Sequence, residues 1–257
     1  MTNDLQQIAD LLLKNRPAPP DWGEISKLKG EECSKKVANK FLICCLLDWM
    51  CRANVAWEKG EHLVEKLGVP EDLWATIKSS SKDVWDSKYE EYGRPHRFHW
   101  GYERLWEIAN KICAQYPGDA REIWSGKSPF EALTHLEALR AGPQISRMIV
   151  GALRDCGQIK GDFCDVKADR HLCRVLGRAV YGDKISEGKV TEVTRQLNPA
   201  DPWQLDWPLF NIGTSYCRPT RPDCPKCYLR PHCVYYRRHG GAGVNDSPET
   251  LDETRRG

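Results

Sequence analysis

Four cysteines within seventeen residues constrain this chain more than any other feature. They are spaced C-x6-C-x2-C-x5-C across residues 217–233, at Cys217, Cys224, Cys227 and Cys233. Thiolates prefer soft metals, and four on one short loop reach a single inorganic centre, so zinc and an iron-sulfur cluster are the candidates. Disulfide bonds are the alternative, but the two-residue gap between Cys224 and Cys227 suits two ligands of one metal better. The spacing therefore predicts a metal or cluster site.

Positive charge concentrates on the same loop, although the chain as a whole is nearly neutral. The net charge is +2 over 257 residues, which by itself gives no sign of nucleic-acid binding. Between residues 217 and 239, six arginines and lysines stand against one aspartate, a local charge of +5 before histidines are counted. This excess predicts a surface for phosphate groups. A solvated surface that only keeps the loop soluble is the alternative. The candidate phosphate contacts here are Arg218, Arg221, Lys226 and Arg230.

The other eight cysteines lie scattered outside the loop, mostly in apolar helical patterns. They indicate reduced, buried thiols, and hence the cytoplasm, close to the nucleoid, or another reducing compartment. The longest apolar run, residues 41–47, is too short to cross a membrane, so we expect no membrane partner. A chain of this length builds a core of its own, as one large domain or two modest ones.

Helical patterns fill the first third of the chain. Apolar positions at helical spacing predict a helix over residues 4–14, and a proline-rich connector follows it. Residues 35–50 are apolar on almost every face, which predicts a buried central helix. Two shorter amphipathic helices are predicted over residues 57–67 and 71–78.

Aromatic side chains, histidines and arginines are interleaved across residues 85–106. Aromatic rings next to hydrogen-bond donors are what a protein needs to stack on and read a nucleobase held outside a duplex. The same composition also fills a core or binds a partner, and both readings stay open. Candidates for a base pocket are Asp48, Trp49, His96, His99 and Trp100.

A helix-turn-helix signal follows at residues 128–153. Ser128, Pro129 and Glu131 form a predicted capping box, so a helix begins at Pro129 and runs to about residue 140. A-G-P and a second amphipathic helix over residues 144–153 come next. Amides around such a turn point outward and hold a phosphate, although a glycine between two helices is more often an ordinary connection.

An aspartate opens the next predicted helix. Asp169 precedes apolar residues at helical spacing and is therefore its predicted N-cap, which is a sufficient structural reason for an aspartate there. Residues after 239 are polar and rich in glycine, and we expect a disordered tail over residues 240–257.

Together these segments resemble the helix-hairpin-helix DNA glycosylase superfamily, in its endonuclease III-like branch. The cysteine loop is similar to that branch's iron-sulfur loop. The segment that starts at Asp169, D-R-H-L-C-R-V-L-G-R, is similar to the family's segment that begins with a catalytic aspartate. The segment L-R-A-G-P-Q-I-S-R-M-I is similar to the family's hairpin. The resemblance is specific over residues 128–233, suggestive over 35–118 and absent at both ends.

The resemblance implies an all-α fold of two lobes with a cleft between them, and a 4Fe-4S cluster on the cysteine loop. Residues 1–34 would be an N-terminal helix and connector packing with the cluster lobe, residues 35–160 a helical barrel lobe with the hairpin at 129–153, and residues 161–239 the cluster lobe with Asp169. The partner would be double-stranded DNA with a lesion or mismatch, bound by a monomer.

Three departures from the family shape the predicted activity. Gln144 stands where bifunctional members carry a lysine, and a carboxamide forms no Schiff base. Arg140 replaces the hairpin's first glycine, and Leu47 to Cys51 replace the segment that carries a base-intruding glutamine. Lys167 offers an amine near Asp169 but is first a candidate phosphate contact, together with Arg140, Gly142 and Gln144 of the hairpin.

These residues predict a monofunctional glycosylase that excises a damaged or mispaired base with water, Asp169 being catalytic and lyase activity not expected. Asp48 is a second carboxylate, either an accessory acid or a paired structural group. Two other functions stay open. One is a non-catalytic iron-sulfur DNA-binding protein on the same scaffold, and the other is a zinc-loop interaction protein.

Overall fold

The computed structural model describes residues 3–161 and 164–240, and within them it confirms the all-α prediction. The helices are α1 (Asn3–Lys14), α2 (Glu24–Lys27), α3 (Lys35–Leu46), α4 (Ala53–Leu67), α5 (Leu73–Ser79), α6 (Lys82–Ser87), α7 (His99–Gln115), α8 (Pro129–Ala138), α9 (Pro143–Asp155), α10 (Arg170–Leu176), α11 (Glu187–Leu197), α12 (Asp206–Ser215) and α13 (Val234–His239). No described helix is long and apolar enough to span a membrane. The predicted tail lies outside the described residues, apart from Gly240.

The chain divides into two compact units. Among the described residues, the hairpin unit comprises residues 18–161, 164–167 and 200–203, and the cluster unit comprises residues 3–17, 168–199 and 204–240. The predicted boundary at residue 35 therefore falls at residue 18. The connector segment belongs to the hairpin unit because Trp22 packs 6.2 Å from Trp57, ring to ring, and the carbonyl of Glu31 accepts a 2.7 Å hydrogen bond from Gln158. The predicted boundary at residue 161 falls at residue 168.

The core of the hairpin unit forms around α3, as the apolar pattern predicted. Asn39 is fully buried on this helix, and both donors and both acceptor positions of its side-chain amide are hydrogen-bonded. Its nitrogen donates to the carbonyls of Pro70 and Glu71, both at 3.1 Å, and its oxygen accepts from the Trp74 indole and the Ala120 amide at 2.9 and 3.0 Å. One side chain thus joins four segments, which is how a buried polar group is kept at low cost.

The central helix is shorter than predicted. It ends at Leu46 instead of continuing to Met50, and the backbone turns through residues 47–51. Met50 adopts φ = 52° and its side chain is 71% exposed, so the last apolar residue of the pattern points to solvent. The turn places Asp48 and Trp49 at the end of α3, where they contact other parts of the hairpin unit.

The hairpin has the predicted helices with slightly different limits. Ser128 and Glu131 form the capping box, and α8 ends at Ala138. Arg140 adopts a left-handed conformation (φ = 68°) and Gly142 has φ = 87°, so the chain reverses over three residues before Pro143 opens α9. A left-handed arginine is unfavourable, and contacts described below hold it in place.

Within the cluster unit, α10 packs on α12, and α1 packs on α11 and α12. Asp4 on α1 pairs with His232 at 3.1 Å and with Arg237 at 2.9 Å, which fixes α1 against the end of the cysteine loop. A π-helical turn, Gly177–Tyr181, continues α10 toward α13.

Candidate functional site

The four cysteine side chains of the loop face one cavity. Cys217 follows α12, the next two cysteines flank a short 3-10 turn, and Cys233 caps α13. The cavity is lined by Arg178, Tyr216, Cys217, Cys224, Cys227, Arg230, Cys233, Tyr235 and Tyr236. Burial raises the pKa of the Cys227 thiol to about 11, and the neighbouring cysteines add to the rise. Thiolates gathered in this way need a cationic centre among them.

The spacing of the sulfur atoms bears on which centre fits. Among the described residues, the one set of three or more metal-ligating atoms within 4.8 Å of one another is Asp86, His99 and Glu103, so no three of the loop sulfurs come that close. A tetrahedral zinc ion, with Zn–S bonds of about 2.3 Å, holds its sulfurs about 3.8 Å apart. Four thiol donors on one loop suit a soft centre, either zinc or an iron-sulfur cluster.

Two arginines that the sequence reading did not assign support the loop. Arg174 donates to the carbonyls of Cys217 and Gly213 at 2.6 and 2.8 Å. Arg178 donates to the carbonyls of Arg218 and Pro219 at 2.7 and 2.9 Å, and it lies 3.7 Å from the Cys217 sulfur. They stand five and nine residues after Asp169 on one continuous helical run, and that periodicity is the signal that could have found them.

Asp169 is the N-cap of α10, as predicted. Its Oδ1 accepts from the amides of His171 and Leu172 at 2.7 and 3.1 Å. Its Oδ2 accepts no hydrogen bond from any described residue, and the side chain is half-buried. One oxygen is thus fixed by the helix while the other is available, and the capping role does not occupy the whole carboxylate.

Side chains from other parts of the hairpin unit donate hydrogen bonds to two carbonyl groups of the hairpin turn. The Trp49 indole donates a 2.8 Å hydrogen bond to the carbonyl of Ala141, and the Arg104 guanidinium donates to the carbonyl of Arg140. Arg104 also lies over the Trp49 ring, 4.3 Å from its centre. The carbonyls of Arg140 and Ala141 are therefore both bonded within the hairpin unit, which stabilises the left-handed Arg140.

Three of the five base-pocket candidates lie together. Trp49, His96 and Trp100 have ring centres 5.4–6.4 Å apart, and Trp100 is 39% exposed. His96 is buried, with Nε2 2.7 Å from the carbonyl of Trp49 and Nδ1 3.1 Å from the amide of Phe98, so both ring nitrogens bond to backbone. His96 therefore acts as a structural connection, and the exposed ring of Trp100 is the part of this group open to a ligand.

The other two candidates are engaged elsewhere in the hairpin unit. His99 lies 3.3 Å from Glu103 and 4.8 Å, ring to ring, from Tyr89. The ammonium of Lys82 contacts both Asp86 and Glu103 there, at 2.9 and 3.3 Å, so it already compensates part of the acidic charge. Asp48 is buried and accepts a hydrogen bond from Lys167, whose ammonium also lies 3.2 Å from the Met148 sulfur.

The ion pair with Asp48 gives Lys167 a different role from the predicted one. We expected a phosphate contact at the surface, but the ammonium points into the hairpin unit, where its side chain is only 19% exposed. Met148 stands one helical turn after Gln144 on α9, so the amine lies along the helix face that carries Gln144. For Asp48, the paired structural role is the one found.

The basic residues of the loop, by contrast, are at the surface. The side chains of Arg218, Arg221, Lys226 and Arg230 are all exposed. Lys226 pairs with Asp223 at 2.8 Å, and Arg230 lies over the ring of Tyr236. Exposure of four cations on one loop agrees with a surface for phosphates, and it agrees equally with a solvated surface.

Comparison with known proteins gives one consistent set of relatives. No family model matches the chain. It is 23% identical over 232 residues to Endonuclease III of Thermotoga maritima, a match that covers 85% of this chain and 99% of that protein. Its fold is similar to that in a non-covalent Endonuclease III–DNA complex (TM-score 0.65, 15% identity, 94% of this chain and 100% of that one). It is also similar to a thermostable thymine-DNA glycosylase (TM-score 0.59, 15% identity, 91% and 97%).

Proposed function

We propose that this chain, which is similar to Endonuclease III in sequence and in fold, is a DNA base-excision repair enzyme of the helix-hairpin-helix superfamily that removes a damaged or mispaired base with water as the nucleophile. Asp169 carries the proposal. It is a carboxylate with one oxygen anchored to helix amides and the other without a partner among the described residues, at the position of the family's catalytic aspartate.

The residues present suit hydrolysis. As the C1′–N bond breaks, its electron pair leaves with the base and positive charge builds on the sugar, which a fixed carboxylate stabilises. The Asp169 carboxylate also orients a water, whose oxygen bonds to C1′ and whose proton passes to the carboxylate. Gln144 has no amine, and the Lys167 side chain is engaged with Asp48, so the structure favours water over an amine as the nucleophile.

The hairpin is the proposed grip on the DNA backbone. The carbonyls of Arg140 and Ala141 are hydrogen-bonded to Arg104 and Trp49. The backbone amides of Gly142 and Gln144, at the N-terminus of α9, are then offered to a phosphate. Trp100 supplies an exposed ring on which an unstacked base can rest. The exposed arginines of the cysteine loop add electrostatic attraction.

We further propose that Cys217, Cys224, Cys227 and Cys233 hold a 4Fe-4S cluster, which when bound ties the loop together and offers a one-electron redox couple. Acid-labile sulfide and about four irons per chain are the expected analysis. Zinc without sulfide would favour the interaction-protein function instead. The buried thiols favour a reducing compartment, and we propose a monomer bound to lesion-bearing duplex.

A panel of duplexes tests the activity. Oxidised, deaminated, alkylated and mismatched bases are offered to the wild type, and base release is followed with and without alkaline strand cleavage. We expect release of at least one base, with strand breaks only after alkali. Duplex binding without release of any base would favour the non-catalytic DNA-binding protein.

Lyase activity is tested separately by borohydride trapping on an abasic duplex. We expect no covalent adduct. An adduct that disappears in Lys167→Ala would show that this amine attacks C1′, and the hydrolytic mechanism would then be wrong.

A further inference from the structure

Two arginines of the cluster unit are buried without an acidic partner. Arg174 is 7% exposed and Arg178 is 9% exposed. Over residues 3–161 and 164–240, neither guanidinium lies within ion-pair distance of a carboxylate, and their hydrogen bonds go to carbonyls, to His171 and to sulfur. A buried positive charge is costly unless an anion compensates it. The cysteine loop is where both side chains point.

Arg178 makes the more direct approach to the ligands. Its Nη1 lies 3.7 Å from the Cys217 sulfur, and its backbone carbonyl lies 3.6 Å from the Cys233 sulfur. The guanidinium stacks 4.6 Å above the ring of Tyr235, which also lines the cavity. Two of the four ligand residues are therefore contacted by this one residue, whereas Arg174 reaches only the carbonyl of Cys217.

Arg178 lies in an unusual stretch of helical backbone. The residue lies in the π-helical turn Gly177–Tyr181, and such turns are rare and frequently found at functional sites. The turn starts at Gly177, where a Cβ atom would lie 2.2 Å from the carbonyl oxygen of Asp183. Only glycine allows this close approach, so Gly177 is needed for the backbone of the turn that carries Arg178.

We propose that Arg178 raises the reduction potential of the iron-sulfur cluster by donating an N–H···S hydrogen bond to Cys217 and by placing a buried positive charge beside the ligands. The inference rests on the proposed cluster. In the one-electron couple, an external donor adds one electron and no ligand bond breaks. The reduced form carries the extra negative charge and gains more from the guanidinium than the oxidised form does. Hydrogen bonds to sulfur and local charge are among the main determinants of such potentials.

The test is a redox titration of the full chain, followed by electron paramagnetic resonance, with iron and sulfide measured on each sample. Arg178→Met removes both the charge and the donor, Arg178→Lys keeps the charge, and Arg178→Gln keeps an N–H donor. Arg218→Met is the matched control, because Arg218 neighbours Cys217 but its side chain is exposed. We expect a more negative potential in Arg178→Met, intermediate values for the Lys and Gln variants, and a value close to wild type in Arg218→Met.

Three results would overturn the proposal. The first is an unchanged potential in Arg178→Met with full iron content, and the second is an equal shift in Arg218→Met. The third is loss of iron from all three Arg178 variants, since Arg178 would then be required for binding the cluster and not for setting its potential. Wild-type protein that contains no acid-labile sulfide would refute the cluster itself. The iron and sulfide measurement shows this before any redox titration is made.

Discussion

The Trp49 indole donates a 2.8 Å hydrogen bond to the carbonyl of Ala141, ninety-two residues away in the hairpin turn. Both groups are buried, with Trp49 7% exposed and Ala141 1% exposed. This bond joins the end of α3 to the turn that we propose grips DNA, so the aromatic segment and the hairpin act as one structure within the hairpin unit.

Trp49→Phe should destabilise the hairpin unit and weaken DNA binding together. The ring stays but the carbonyl of Ala141 loses its donor in a buried place, which costs about 1–3 kcal/mol. Urea unfolding and duplex affinity measure the two effects. Trp100→Phe is the matched control for the unfolding measurement alone, because Trp100 is partly exposed. Equal unfolding free energies for Trp49→Phe and wild type would show that the bond does not hold the turn.

The Asp48–Lys167 pair should behave as a coupled unit. The Asp48 side chain is 4% exposed and that of Lys167 is 19% exposed, so removing either charge takes an opposite charge away from the other in a mostly buried place. We expect Asp48→Asn and Lys167→Met each to cost about 3–5 kcal/mol of unfolding free energy. The double variant should cost clearly less than their sum. Additive costs in urea unfolding would contradict a direct pairing.

His171 should make the cluster unit sensitive to acid. Burial lowers the pKa of His171 from 6.5, and its Nδ1 lies 3.2 Å from the Arg174 guanidinium, which favours the neutral ring. A lowered folded-state pKa gives stability that is complete above about pH 6.5 and is lost as pH falls toward the folded value. The unfolding free energy of His171→Asn should therefore fall less between about pH 8 and pH 5 than that of wild type. His239→Gln, at an exposed site, should follow wild type.

Local signals were enough to predict several parts of the site. The capping box at Ser128, the proline that opens α9 and the N-cap at Asp169 all depend on residues within a few positions of one another, and all are confirmed. The cysteines that line one cavity were likewise readable from spacing alone.

What the sequence did not predict depends on distant contacts. The apolar pattern of α3 continues to Met50, but the turn after Leu46 is set by bonds that Trp49 makes to Ala141 and His96. Lys167 was predicted to contact phosphate because it alternates with Asp169 along an extended lead-in, whereas its partner Asp48 lies 119 positions away. The resemblance assigned the connector to the cluster lobe, whereas residues 18–34 belong to the hairpin unit.

The salt dependence of DNA binding should separate the basic residues of the cysteine loop. Each lost phosphate contact flattens the slope of log affinity against log salt by about one unit. Arg218→Ala should produce this change, and Lys226→Ala should produce less, because Lys226 already pairs with Asp223 at 2.8 Å. Lys78→Ala, an exposed lysine of the hairpin unit, controls for net charge. Identical slopes in all variants would indicate that the loop only keeps the protein soluble.

Single-turnover base excision by Asp169→Asn tests the central claim most directly. Asparagine caps a helix about as well as aspartate, so α10 should stay intact while the charge at this position is removed. Using the base that the wild type releases, we predict a fall in rate of at least about 100-fold with duplex affinity changed little. An Asp169→Asn enzyme that excises the base at the wild-type rate would contradict the account.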